Sequence, residues 1–155
     1  MKFKSCCLFA ALLLVVLTGL VYKFIWHGEV APASDGRTAI LMPEEERDLV
    51  LKEMRTFLQA VQKILTAANA GDTAKIAEAA RHVGAAQQQG MPGTLVKRLP
   101  VGFKKLGFDT HRRFDQLALD AEQLEDPEHS LEQLAELMGN CVSCHATYRI
   151  DLSDE

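Results

Sequence analysis

The chain has 155 residues, of which 48% are apolar and only 6% aromatic, and a formal charge of −4. One domain with an aliphatic core is the expectation at this length. Residues 43–155 hold 13 Lys and Arg against 19 Asp and Glu, a net −6, which disfavours a nucleic-acid partner because phosphate backbones select basic surfaces.

Two lysines, Lys2 and Lys4, open the chain, and the 18 residues from Ser5 to Tyr22 carry no charge. That run is long for a signal-peptide core and suits a spanning helix. Lys2 and Lys4 favour a cytoplasmic N-terminus, with Lys23, Tyr22 and Trp26 at the far interface. Ala31-Pro32-Ala33 is a poor cleavage site because proline sits inside it, so an uncleaved anchor over residues 1–26 is preferred to a cleaved signal peptide. Residues 27–42 read as a linker of mixed Gly, Pro, Ala and Ser without a clear period, and His27 as an interfacial bystander.

Residues 43–155 read as a domain of four amphipathic helices. The first begins at Pro43, where proline suits the first turn and Glu44, Glu45 and Glu46 suit the positive end of the helix dipole. Its apolar positions are Leu51, Met54, Phe57/Leu58, Val61, Ile64/Leu65 and Ala68, a 3–4 spacing ended by Ala70-Gly71. The second runs from an Asp72 cap to about Gln89, with a thin stripe of Ile76, Ala80 and Val83 that lets a neighbour approach closely. Residues 90–102 are expected to be an extended connection, with Pro92, Pro100 and three glycines. The third carries Phe103, Leu106, Thr110, Phe114, Leu117, Ala121 and Leu124, and Asp126-Pro127 stops it. The fourth starts near Ser130 as N-cap, with Gln133 three residues on. Its stripe is Leu131, Leu134, Leu137/Met138, Cys141, Cys144/His145 and Tyr148. No strand pattern is evident.

Charge is unevenly spread. Residues 97–113 hold Lys97, Arg98, Lys104, Lys105, Arg112 and Arg113 against Asp109 alone, while 115–155 hold eleven acids against Arg149. A solvated face is the plain reading of the basic stretch, and a docking patch for a redox partner the sharper one.

The most specific stretch is Cys141-Val142-Ser143-Cys144-His145. C-x-x-C-H is the attachment sequence of a c-type haem. The thiols form thioethers with the haem vinyl groups, and the histidine can ligate the iron. On a helix, positions three and four apart share a face, so Cys141, Cys144 and His145 can all address one flat ring. Because the motif continues the apolar stripe, the haem is expected inside the bundle. A thiol redox couple would want a βαβ setting. A zinc site would need further ligands, and the other cysteines, Cys6 and Cys7, lie far away in the apolar N-terminal run. Attachment of c-type haem takes place outside the cytoplasm. The expected location is therefore the periplasmic side of a bacterial inner membrane, or the periplasm if the N-terminal segment is cleaved.

Four amphipathic helices with C-x-x-C-H on the last, and in particular Cys-Val-Ser-Cys-His-Ala-Thr-Tyr-Arg at 141–149, resemble the cytochrome c′ family over residues 43–150. The resemblance implies an all-α antiparallel four-helix bundle with one covalently bound haem c. It also implies His145 as proximal ligand and a distal position on the first helix, where Met54 falls, as in the low-spin, methionine-ligated branch. Met54 as core filler is the competing reading, and Met91 and His111 are rival ligands. His82 and His129 read as surface or turn residues. By the same resemblance Arg149 lies one turn after His145 near the haem edge, Phe57, Phe103, Phe114 and Tyr148 are candidates to pack on the porphyrin, and the first two helices can mediate a homodimer.

The function expected is electron transfer to redox partner proteins from a membrane-tethered domain. No further acid/base or nucleophile constellation points to an enzyme. The alternatives are a five-coordinate haem protein that binds NO or CO, and a thiol redox or metal-binding module without haem.

Overall fold

The computed structural model describes residues 2–153, with side chains from Leu8 onward. The chain is mostly helical. Helix α1 (Lys2–Val21) continues as a π-helical stretch, Tyr22–His27. Two short strands follow, β1 (Val30–Pro32) and β2 (Thr38–Met42). Then come α2 (Glu44–Asn69), α3 (Thr73–Arg81), a 3₁₀ segment (Ala85–Gly90), α4 (Gly93–Arg98), α5 (Val101–Leu124), α6 (Pro127–Thr147) and β3 (Tyr148–Leu152).

Leu8–His27 is 20 residues of mean hydropathy 2.4, and none of it is buried by the rest of the chain. At 1.5 Å per residue this run reaches about 30 Å, the thickness of a hydrocarbon core. It is long and apolar enough to cross a bilayer.

Residues 27–42 are not a linker. Asp35-Gly36 makes a turn, with Gly36 at φ 83° and the Ala33 N–H donating to the Arg37 carbonyl at 2.9 Å. The turn folds β1 antiparallel onto β2, pairing Val30 with Ile40. β2 in turn pairs in parallel with β3, Thr38 opposite Tyr148 and Met42 opposite Leu152. Ile40 and Met42 are fully buried. The sheet thus adds three strands to what reads by pattern as an all-helical chain. It escapes pattern reading because β2 and β3 are only five residues long and over a hundred positions apart.

Helix ends are set by local chemistry and by tertiary contacts. Pro43 is the N-cap of α2, and three glutamates occupy its first turn. Asp72 caps α3 by accepting from the Lys75 N–H at 3.0 Å. α3 ends at Arg81, well short of Gln89, because α5 captures the backbone that would continue it. His111 bonds the Val83 carbonyl at 2.8 Å, and Asp115 accepts from the Ala85 N–H at 2.9 Å. α4 occupies the middle of the expected extended connection. α6 begins at Pro127, three residues before Ser130, with Asp126 accepting from the Glu128 and His129 N–H groups. Asp-Pro therefore stops one helix and starts the next.

Helices α2, α3, α5 and α6 share the main core, built on Ile64, Ile76, Phe114, Leu117, Leu134 and Leu137 with many alanines between them. A second cluster sits against the sheet. It joins Ile40, Met42, Val50, Leu95 and Leu99 to the half-buried Val30, Met54, Met91, Phe103, Tyr148 and Ile150.

If the hairpin is part of the folded unit, truncating its central residue must be costly. Ile40→Ala is expected to lose about 2–5 kcal/mol in urea unfolding of the full chain. An unchanged midpoint would mean the sheet contributes no stability.

Candidate functional site

Cys141 and Cys144 lie one turn apart in the last part of α6, followed by His145. The stripe that is fully buried at Leu134 and Leu137 is half-exposed at Cys141 and Cys144 and open at His145. The motif therefore sits at the edge of the core and not inside it, as the stripe alone suggests. A flat group can reach both sulfurs without displacing the main core.

Both cysteines are free thiols. Burial pushes the Cys141 thiol above its ordinary value, and burial together with Cys141 pushes Cys144 up to about 11. The thiolate is the nucleophile in disulfide chemistry. Among the described residues no three His, Cys, Asp or Glu side chains come together as metal ligands, and the side chains of Cys6 and Cys7 lie outside the described residues.

α6 ends at Thr147, so Tyr148 and Arg149 are in β3 and not on the helical stripe. Strand alternation sends their side chains to opposite faces. Tyr148 turns inward, meets Phe103 edge to face at 5.7 Å between ring centroids, and joins the cluster that contains Met54. Its hydroxyl lies over Gly102, where a Cβ would be 2.3 Å from the oxygen. Burial, and to a lesser degree Cys144, pushes the Tyr148 phenol up. Met54 is half-buried on α2, within one apolar cluster with the residue three after His145. The expected position of Arg149 one helical turn after His145 is corrected. Its guanidinium faces away from that cluster, 2.8 Å from Asp151 and 3.4 Å from Asp35.

Arg37 is the site residue that the sequence does not reveal. Its Nη1 donates to the His145 carbonyl at 3.2 Å and the Tyr148 carbonyl at 3.3 Å. Asp35 holds the guanidinium in place at 2.7 and 2.9 Å, and that pairing keeps the Asp35 carboxyl down at about 2. The hairpin thus grips the helix end that carries His145. The Asp35-Gly36 turn signal was the available pointer to the hairpin; nothing local marks Arg37 as its functional tip.

Of the rival ligands, His111 is buried with both ring nitrogens engaged, one at the Val83 carbonyl and Nε2 at Glu53, 3.2 Å away. Met91 packs beside the second cluster and lines a groove of about 460 Å³ with Glu53, Phe57, Leu95 and His111. Cys141, Cys144, His145 and Met54 do not line it. His82 is exposed at the end of α3, and His129 is half-buried in the first turn of α6. Phe57 stacks on Phe114 at 5.6 Å in the main core, so of the four aromatic candidates only Phe103 and Tyr148 lie in the Met54 cluster.

No family model, curated protein or solved structure matches the chain.

The His111–Glu53 pair gives the domain a pH-dependent contact. Burial lowers the His111 pKa, but the Glu53 carboxylate and the Val83 carbonyl outweigh it, and the sum is upward. A folded-state pKa raised above the unfolded value of about 6.5 stabilises fully below that value, and the stabilisation is lost as pH rises through the folded pKa. Glu53→Gln should therefore lower the urea midpoint more at about pH 6 than at about pH 9. A penalty that does not change with pH would show that His111 is neutral in the fold.

Proposed function

We propose that the chain is an exported c-type cytochrome that carries electrons through one covalently attached haem. In this reading α2, α3, α5 and α6 form an antiparallel four-helix bundle of the cytochrome c′ kind, and α1 holds the domain on the periplasmic side of the membrane. The observation that carries the reading is the end of α6. Two half-exposed free thiols one turn apart precede a histidine, and the strand that follows enters an apolar cluster that contains a methionine.

The chemistry of the donor set suits the group: two thiols, an imidazole and a thioether. Cys141 and Cys144 would hold it as thioethers, and His145 and Met54 are the residues that would ligate its iron. When bound, the haem supplies a one-electron ferric/ferrous couple. The chain supplies the rest. A thioether ligand from Met54 favours the ferrous state and raises the potential. Phe103, Tyr148, Leu95 and Leu99 keep water from that side. Arg37 fixes the backbone of His145 by its carbonyl, so the imidazole hangs from an anchored main chain. Two protein ligands retained in both oxidation states would suit electron transfer. The α1 tether raises the local concentration of the domain near membrane partners.

A second reading has its own support. Met54 packs half-buried against the cluster of Ile40, Met42, Val50, Leu95 and Leu99, as an ordinary core methionine does. If it stays there, the distal side is open and apolar, and the protein binds NO or CO.

Reduced, haem-loaded protein exposed to CO separates the two. Electron transfer with Met54 ligation predicts sharp low-spin bands that resist CO, and Met54→Ala then converts the protein to a high-spin, CO-binding form. A wild-type spectrum already high-spin and shifted by CO would establish the gas-binding reading. An unchanged low-spin spectrum in Met54→Ala would remove Met54 as ligand.

A further inference from the structure

The membrane end of α1 does not leave the domain through a flexible tether; it is docked on the α4–α5 junction. The Lys104 Nζ donates to the carbonyls of Phe24 and Ile25 at 3.4 and 3.2 Å. The Glu29 N–H donates to the Arg98 carbonyl at 2.7 Å. Gly28 is buried at φ 72°, and a Cβ there would stand 2.3 Å from the same carbonyl. Residues 98–104 therefore sit at the level where the apolar run ends.

The charge around this contact is of one sign. From Ala79 to Phe108 there is no Asp or Glu, while Arg81, Lys97, Arg98, Lys104 and Lys105 all fall in that stretch. The partners differ in a telling way. Arg98 lies 3.0 Å from Glu46, and Arg112 and Arg113 are both satisfied by Asp109. Lys23 pairs with Glu29 at 3.1 Å. Lys97 and Lys105 are exposed and have no ion-pair partner among the described residues. Both are within a turn of the residues that hold the anchor. With Lys104, whose Nζ meets only the Phe24 and Ile25 carbonyls, they are the three charges of the basic stretch without a carboxylate partner among the described residues, and all three lie near the end of the apolar run, where Tyr22 and Trp26 are exposed.

We propose that Lys97 and Lys105, with Lys104 beside them, form a surface for anionic phospholipid headgroups that seats the domain on the membrane in one orientation. The inference rests on the reading of Leu8–His27 as a retained span, and it is independent of the haem. A lysine near an anionic leaflet gains roughly fivefold in affinity, and salt screens the gain. The rigid anchor brings these lysines to the headgroups in the same place each time, which a free linker would not.

The test uses the full-length, haem-loaded chain in nanodiscs of phosphatidylcholine alone, or of phosphatidylcholine with phosphatidylglycerol. Acylation of Lys97 and Lys105 by an amine-reactive reagent is followed by mass spectrometry, with the exposed Lys63 on the far half of α2 as internal control. The expected result is a drop of about fivefold at Lys97 and Lys105 relative to Lys63 in the anionic discs, reversed by about 0.5 M salt. Equal labelling ratios in the two lipids would overturn the headgroup surface and leave the span intact. A chain that does not enter the discs would overturn both.

Discussion

The parallel pairing of β2 with β3 is the constraint on which the rest of the structure depends. Thr38 opposite Tyr148 fixes where α6 must stop, because Tyr148 cannot be helical and paired at once. It turns Tyr148 and Ile150 inward to build the second apolar cluster, and turns Arg149 and Asp151 outward to the hairpin. It also brings Arg37 to the carbonyl of His145. The last turn of α6, which carries the thiols and the histidine, is thereby held from both sides: by the main core before it and by a strand after it.

The same pairing ties the two ends of the chain together. α1 leads directly into the hairpin, and the hairpin into the strand that follows Cys144 and His145. Docking of Phe24 and Ile25 on Lys104 adds a second tie at the α4–α5 junction. A domain joined to its apolar helix in this way holds the end of that helix in a fixed place.

The helices of the main core, α3 apart from its early end, were legible because their signals are local: a 3–4 apolar period, Asp72 as a cap, glutamates in a first turn, Gly71 and Asp126-Pro127 as breaks. The C-x-x-C-H spacing stands in the sequence itself, and its place on the last turns of a helix was legible from the same period. What escaped reading is non-local. α3 stops early because His111 and Asp115 take its next backbone groups, about thirty residues on. β3 exists only because β2 is there to pair with it, and Tyr148 continues the helical stripe in sequence while leaving it in space. Arg37 has no local mark at all; its role is visible only once the strands are paired.

The central claim is that Cys141 and Cys144 are spent in thioether bonds to a haem. The most direct measurement is the intact mass, under denaturing conditions, of the full-length chain produced in a host that attaches c-type haem. The account predicts a mass higher than the polypeptide by one haem, with the visible absorbance staying on the chain, and loss of both when Cys141 and Cys144 are replaced together by alanine. A bare polypeptide mass, with both thiols free to alkylate, would contradict it.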